Sequence, residues 1–176
     1  MRTYSPSEAS CLTLLDVVKQ RDHRRRGYLQ SIGMAMENGR SVFDDNDILA
    51  LALARAFQVH ASVEVSAAYE MACNVATNGL SPAIIPGKNP TELIKHKDAG
   101  TKVLGTVMRF VHPSGTHFMR WAIVEAELAF GLADQIAHRE DARLLSLVAV
   151  SVAGIVAEIR ERADGAGIVL TPSFWG

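Results

Sequence analysis

The stretch EASCLTLLDVVKQRDHRRRGYL, residues 8–29, decides the fold of the N-terminal part of this sequence. Its first half has periodic apolar residues that end near Leu15, whereas residues 19–26 contain no aliphatic side chain. This basic window carries five basic residues and one acidic residue. A helix that packs on a core needs an apolar residue every three or four positions. The basic window must therefore protrude into solvent or face a charged surface.

Capping signals divide the stretch into two helices. Ser5 and Glu8 have the spacing of a capping box, which predicts a first helix that ends near Leu15. Asp16 is placed to cap a second helix that contains the basic window, and Gly27 ends that helix. Two helices joined by a short turn are typical of a helix-turn-helix, whose second helix enters the major groove of DNA.

Two more helices are predicted after this pair. Asp44 is placed to cap a helix over residues 45–58, which has a wide apolar face. Ser62 is placed to cap the following helix, over residues 63–77. The intervening segment, residues 38–43, indicates a turn and a short extended stretch.

The charge of the chain is unevenly distributed. Of 176 residues, 48% are hydrophobic and 21% are charged, which excludes a wholly disordered chain. The formal net charge is only −1, yet residues 1–40 hold seven basic and four acidic residues. Residues 41–101 hold four basic and seven acidic residues. This asymmetry excludes a generally basic nucleic-acid coat protein and indicates an anionic partner for the N-terminal segment.

Cysteine usage and apolar stretches predict the compartment. Cys11 and Cys73 lie far apart without a partner motif, which is typical of packing residues in a reducing environment. The N-terminal ten residues lack the apolar core of a signal peptide. The most apolar stretch, residues 144–159, is shorter than the roughly 20 residues that span a bilayer. We therefore expect a cytoplasmic protein with no membrane partner.

The composition changes in the second half of the chain. Prolines and glycines mark residues 80–101 as a linker. Residues 102–112 and 117–126 then flank Pro-Ser-Gly-Thr, which predicts a β-hairpin. The apolar run from Leu144 to Val150 indicates a buried strand or a buried helix segment. A final helix is predicted over residues 152–163.

The predicted hairpin places two arginines opposite each other. A two-residue turn at 114–115 would pair Phe110 with Met119 and Arg109 with Arg120. Like charges directly opposite each other destabilise a strand pair. Arg109 and Arg120 are therefore a candidate anion or ligand site, to be neutralised by an anion, a carboxylate or DNA phosphate. Solvation of the side chains or a register shifted by one residue would remove this need.

Read without gaps, residues 8–29 resemble the helix-turn-helix opening of MerR-type transcriptional regulators. The matching positions are the family's acidic start, Leu-Thr pair, arginine and closing glycine and leucine: Glu8, Leu12, Thr13, Arg21, Gly27 and Leu29. Leu14 lies where the family's turn usually has glycine. Residues 38–44 are similar to the family's wing and its entry into a third helix. The resemblance covers residues 4–78 and implies a winged helix-turn-helix fold that binds DNA.

The resemblance implies that Arg21 and His23 contact phosphates or bases and that Arg40 contacts the DNA backbone from the wing. Arginine and lysine neutralise phosphates, and arginine and glutamine reach base edges. The predicted DNA-binding set joins the polar and charged residues of the second helix and the wing: Lys19, Gln20, Arg21, His23, Arg24, Arg25, Arg26 and Arg40. The alternative is that the basic window is an ordinary solvated run of charges.

No other group of residues in the sequence predicts a catalytic, cofactor or metal site. His112 and His117 flank the hairpin turn without further metal ligands at suitable spacing. Gly87-Lys88 lacks the flanking residues of a phosphate-binding P-loop. No acid/base pair or nucleophile–base spacing stands out. We expect no enzyme activity, no cofactor and no metal site.

These observations lead to an α+β fold with two domains. A mainly helical winged helix-turn-helix domain is expected over residues 1–79, and a small α+β domain with a β-hairpin and a C-terminal helix over residues 102–176. The second domain would serve dimerisation or ligand sensing, with residues 144–163 as the candidate dimer interface. The sequence leaves open whether this domain binds a small-molecule effector.

The expected function is sequence-specific DNA binding that regulates transcription. A homodimer is expected because a single small module binds DNA weakly and two half-sites multiply specificity. The alternative is a protein-interaction module that keeps a degenerate helix-turn-helix fold and binds an acidic protein partner.

Overall fold

A computed structural model describes residues 2–36, 40–77 and 103–171 of the chain. These residues form six α-helices and two small antiparallel sheets, and the N-terminal half is mainly helical. The predicted combination of α-helices with antiparallel strands is confirmed. The turn predicted near residue 38 and the linker over 80–101 lie largely outside the described residues.

The elements follow one another along the chain as helices, a two-stranded ribbon and a three-stranded sheet. In order they are α1 (Pro6–Thr13), α2 (Val17–Arg25), β1 (Met34–Ala35), β2 (Ser41–Val42), α3 (Asp45–Ala61), α4 (Val65–Thr77), β3 (Val103–Val111), β4 (His117–Glu125), a 3-10 turn (Ala126–Leu128), α5 (Ala129–Arg139), β5 (Arg143–Ser151) and α6 (Val152–Ala166).

The described residues group into two compact units. The first contains residues up to 77 together with residues 154–171, and the second contains residues 103–153. The domain limits predicted at residues 79 and 102 stay a prediction. The predicted C-terminal helix is present as α6, and from residue 154 onward it groups with the first unit.

The first three helices begin where capping residues predict. The Ser5 hydroxyl accepts a hydrogen bond from the Glu8 backbone N–H at 3.2 Å, and the Glu8 carboxylate accepts one from the Ser5 N–H at 2.8 Å. The Asp16 carboxylate accepts a hydrogen bond from the Lys19 N–H at 2.8 Å. Asp44 caps α3 in the same way. These predicted starts are confirmed.

Ser62 has a different role from the one that the sequence predicts. It ends α3 in the left-handed conformation, with φ +49°, and α4 begins three residues later, at Val65. The predicted cap at Ser62 is therefore wrong. The backbone N–H of Ser62 donates to the Phe57 carbonyl, so the residue closes the last turn of α3 and does not open α4.

A short turn joins α1 to α2 through a left-handed residue. Leu14 has φ +56° and donates its backbone N–H to the Ser10 carbonyl at 2.9 Å. Its side chain is 50% exposed, whereas the next side chain, Leu15, is buried. The backbone therefore adopts at Leu14 a conformation that costs an L-residue other than glycine about 1 kcal/mol.

Replacing Leu14 by glycine should stabilise the first unit. We expect the L14G variant to raise the free energy of unfolding by about 0.5–1 kcal/mol, because glycine adopts the left-handed region without strain. Replacing Leu14 by isoleucine should lower it, because a β-branched residue is poorly tolerated at positive φ. Urea unfolding of both variants measures the two changes, and equal values would contradict this explanation.

Helix α3 forms the centre of the first unit. All of its apolar side chains except Val59 are buried, on all sides of the helix, and α1 and α4 pack against it. Tyr4 bridges to Phe43 through two backbone hydrogen bonds of 2.7 and 2.9 Å. The Tyr4 hydroxyl donates to the Asp45 carboxylate at 2.8 Å. The N-terminus is thereby fixed to the start of α3.

Helix α6 completes the first unit. The Arg162 guanidinium donates to the Leu12 carbonyl at 3.0 Å, near the C-terminal end of α1, and also pairs with Glu158. Beyond the helix, the Thr171 hydroxyl donates to the Asp45 carboxylate. The C-terminal segment therefore contacts both the first helix and the start of α3.

The second unit is a three-stranded antiparallel sheet with strand order β4-β3-β5. Helix α5 packs on one face of the sheet, where Ala133 and Ile136 contact a core that includes Met108, Phe110 and Val124. The apolar run near Leu144 is confirmed as a strand, β5.

The β-hairpin has a different register from the predicted one. Phe110 lies opposite Phe118, whereas the predicted partner was Met119. The loop contains three residues, 113–115, because the His112 backbone N–H donates to the Thr116 carbonyl at 2.9 Å. Its third position is a left-handed glycine, as is common in three-residue hairpin loops. Because side chains alternate along a strand, this shift moves every predicted pair.

The predicted pairing of Arg109 with Arg120 is therefore wrong. Arg109 lies opposite Met119 and Arg120 opposite Met108, so the two arginines point to opposite faces of the sheet. The Arg120 guanidinium lies 4.8 Å from the centroid of the Phe118 ring. The two arginines do not form a joint anion site, and the repulsion inferred from the sequence does not arise.

Candidate nucleic-acid interface

Gln20 fixes α2 to α1 from the inner side of α2. Its side chain is only 3% exposed, and its amide nitrogen donates to the Pro6 carbonyl at 3.0 Å and the Leu15 carbonyl at 2.8 Å. Its amide oxygen is buried and has no hydrogen-bond partner among the described residues. Gln20 is therefore a buried anchor, and the structure does not place it where it could contact a base edge.

His23 joins α2 to α4. Its Nδ1 lies 2.9 Å from the Tyr69 hydroxyl, and its half-buried ring stands edge-on to the rings of Tyr28 and Tyr69. Burial lowers the pKa of His23, so the neutral imidazole is favoured. The side chain predicted to contact DNA is thus held mainly by the protein itself.

Arg24 has both a packed and a charged role. Its guanidinium donates to the Ile32 carbonyl at 3.2 Å and lies 5.9 Å from the centroid of the Phe43 ring. These contacts fix α2 against the segment that leads into the β1–β2 ribbon. The guanidinium also reaches the surface, because it lines a groove that is described below.

Gly33 makes room for the contact between Arg24 and Phe43. It has φ +76°, and a Cβ atom there would lie 2.9 Å from Cε1 of Phe43 and 3.0 Å from Nη2 of Arg24. Both the backbone conformation and the close approach therefore require glycine.

We expect the G33A variant to lower the free energy of unfolding by about 2 kcal/mol. The methyl group would occupy a left-handed backbone position and would also displace the Phe43 ring or the Arg24 guanidinium. Thermal and urea unfolding measure the change, with G131A as the control, because a Cβ atom at Gly131 meets nothing within 4 Å. An equal effect of both substitutions would contradict the proposed crowding at Gly33.

The remaining basic residues of α2 face solvent. Lys19, Arg21, Arg25 and Arg26 are all exposed. The guanidiniums of Arg25 and Arg26 pair with Asp22 at 2.7 and 2.8 Å. The hydrogen bond from Arg25 holds the pKa of the Asp22 carboxyl below its usual range. Such exposed pairs contribute little stability, so the two arginines can exchange this carboxylate for a stronger anion.

A surface groove of about 630 Å³ lies between the N-terminus of α1, helix α2 and strand β2. We call it the arginine groove, because three arginines of α2 and Arg40, which directly precedes β2, line it. Apart from Gln20, whose amide donates to the protein backbone, the lining residues that carry hydrogen-bond donors are Ser5, Ser7, Arg21, Arg24, Arg25, Arg40 and Ser41. All of them belong to the first unit. The groove thus combines guanidinium groups with hydroxyls, which are the donors that bind phosphate oxygens in proteins.

The structure brings together part of the predicted set and separates the rest. Arg21, Arg24, Arg25 and Arg40 meet in the arginine groove, and Lys19 and Arg26 lie on the exposed side of α2. Gln20 and His23 are held inside the unit. Sequence reasoning missed the serines of the groove, although the predicted cap at Ser5 already placed a hydroxyl at the N-terminus of α1.

Among the described residues, no group of three or more His, Cys, Asp or Glu side chains is arranged to hold a metal ion. No helix in the described ranges has the length and apolar character needed to cross a membrane.

The two cysteines of the first unit are not joined in a disulfide, and both are half-buried. Burial raises the pKa of the Cys73 thiol to about 11, which makes it a weak nucleophile at neutral pH.

Comparisons with models of known protein families and with curated proteins give no match to this sequence.

Proposed function

We propose that the first unit binds double-stranded DNA through α2 and the arginine groove. The observation that carries this proposal is that three arginines of α2 and Arg40, which directly precedes β2, line one groove beside an exposed basic helix. We further propose that α1, α2 and the β1–β2 ribbon act as a winged helix-turn-helix similar to that of MerR-type regulators.

We assign different roles to the outer side of α2 and to the arginine groove, which share Arg21 and Arg25. The major groove of DNA is wide enough to admit an α-helix, and the outer side of α2 carries Lys19, Arg21 and Arg25. In this arrangement the arginine groove holds phosphates of the DNA backbone, with Arg40 contributing from the β2 side. Contacts to phosphates position a protein, and contacts to base edges give sequence specificity.

The proposed biological role is transcriptional regulation by a homodimer without catalysis. One unit of this size offers a single short helix to DNA, and two half-sites are needed for affinities typical of regulators. Residues 144–163 stay our proposed dimer interface, and the second unit is proposed to serve dimerisation or ligand sensing.

Salt dependence of binding tests the proposal. The full chain is titrated into a fluorescent 30-base-pair duplex of arbitrary sequence while its anisotropy is recorded between about 50 and 200 mM KCl. Release of counterions from about four phosphates gives a slope of about −3.6 in log K against log salt, or a roughly 150-fold loss of affinity over this range. Absence of binding at 50 mM, or binding that does not depend on salt, would refute the proposal.

An acidic protein partner is the second candidate. It is favoured by the internal contacts of Gln20 and His23, which remove two predicted base contacts from α2. The two candidates differ in direct titration at 50 mM salt: if the basic surface serves an acidic protein, the chain binds poly-glutamate but little duplex DNA.

A further inference from the structure

We infer that Val18 contacts the C5 methyl group of a thymine in the DNA major groove and thereby contributes to sequence specificity. This inference rests on the proposed DNA-binding function. Val18 lies outside the basic window, in the first turn of α2, and its side chain does not pack in the protein core.

Val18 lies at the centre of the outer side of α2. Its side chain is 74% exposed, while Gln20, two residues later, is buried against α1. Because successive residues of a helix are about 100° apart, the positions next to Val18 on the same side are three, four and seven residues later. These positions hold Arg21, Asp22 and Arg25. Within α2, the neighbours of Val18 on this side of the helix are therefore charged.

The charged side chains next to Val18 determine which kind of partner it can contact. An apolar protein surface would have to bury the neighbouring guanidiniums without compensation, which is costly. The major groove of DNA offers a methyl group, on thymine, on an otherwise polar and strongly anionic surface. Its neighbouring phosphates match Arg21 and Arg25 in charge. A valine flanked by arginines therefore complements a thymine edge.

The position along the helix agrees with this assignment. Recognition helices contact base edges mainly through their N-terminal residues. Val18 is the second residue of α2, which starts at Val17, and the C-terminal end of the helix carries Arg25 next to Arg26. An apolar contact at the N-terminal end with cationic contacts further along fits a helix whose first turn meets the bases.

The experiment begins with selection of duplexes from a random library by the full chain. Each thymine of the selected duplex is then replaced by uracil, which lacks only the C5 methyl group. For the unmodified protein, one replacement should lower the affinity about fourfold, the effect expected for one buried methyl group. With V18A the same replacement should change the affinity less than about 1.5-fold, and V18I should restore the sensitivity.

V59A provides the matched control, because Val59 is an exposed valine, 59% accessible, on α3. It should keep the fourfold sensitivity. If V18A keeps the sensitivity of the unmodified protein at every thymine, or if no thymine is sensitive at all, Val18 does not read a methyl group although DNA binding stands. If no duplex is selected, the proposed function itself fails.

Discussion

Replacing Arg21 and Arg25 by alanine should weaken binding to duplex DNA about 30-fold at 100 mM salt. Each lost guanidinium removes a charge-assisted contact of about 1 kcal/mol and releases one fewer counterion. The slope of log K against log salt should accordingly become shallower by about two. The fold should stay intact, because both side chains are exposed.

The choice of these two arginines follows from their contacts. Arg24 also lines the arginine groove, but its guanidinium donates to the Ile32 carbonyl and packs near Phe43. Its removal would change the fold together with the charge, so a loss of binding would be ambiguous. The sequence alone does not distinguish Arg24 from its neighbours.

The matched control is R139A/R143A. Both of these arginines are exposed, and both belong to the second unit, outside the arginine groove. This variant loses the same formal charge as R21A/R25A, so a purely global electrostatic effect would weaken binding equally in both. Equal losses would rule out the arginine groove as the DNA-binding surface. Circular dichroism of both variants establishes that they are folded.

Replacing Gln20 by glutamate should lower the free energy of unfolding at pH 7 by about 4 kcal/mol. The amide nitrogen that donates to the Pro6 and Leu15 carbonyls would become an oxygen that faces two other oxygens. A carboxylate buried without a cation costs several kcal/mol and shifts towards its protonated form. The destabilisation should therefore decrease at pH 4.5, where protonated glutamic acid can donate one of the two hydrogen bonds.

Q20M separates the charge from the lost hydrogen bonds. Methionine has a similar volume and should cost about 1–2 kcal/mol, because two buried carbonyls lose one donor. Urea unfolding at both pH values gives the comparison. If Q20E is as stable as the unmodified protein, Gln20 is not the buried anchor that the structure shows, and the predicted base contact becomes the better explanation.

Signals that act over a few residues predicted much of the first unit. The caps at Ser5, Asp16 and Asp44 work through hydrogen bonds to the backbone three residues later, so the sequence contains both partners. The left-handed conformation of Leu14 is also a local feature, because MerR-type regulators usually have glycine at the corresponding position. The residues at which α1, α2 and α3 begin could therefore be predicted from the sequence.

The hairpin shows the limit of this reasoning. The segment Pro-Ser-Gly-Thr is compatible with loops of two or three residues, and a difference of one residue exchanges the faces of both strands. The backbone hydrogen bond between His112 and Thr116 shows that the loop is the longer one, and Gly115 with φ +84° occupies its left-handed position. The apparent repulsion between Arg109 and Arg120 was a consequence of the wrong register.

Helix α5 was not predicted, although its pattern is visible in the sequence. Ala129, Ala133 and Ile136 have the spacing of one helical face and are the residues that the structure buries. Two of the three are alanines, which add little to a hydrophobic pattern.

The inner side of α2 explains why the candidate site was predicted only in part. Gln20, His23 and Arg24 share one side of the helix, and each finds a partner that lies elsewhere in the chain. The partner of His23, Tyr69, is 46 residues away. A run of polar residues looks uniformly solvated in the sequence because such distant partners are not visible there.

The contact between Arg162 and Leu12 also has a consequence for biosynthesis. The two residues are separated by 150 positions, so the N-terminal helices leave the ribosome long before α6. At a synthesis rate of about 5–20 residues per second, roughly 8–30 s pass between the synthesis of α1 and that of α6. During that interval the basic surface of α2 is already translated but its supporting unit is incomplete. The proposed DNA binding should therefore require the synthesis of α6, and chains that terminate before this helix should lack it.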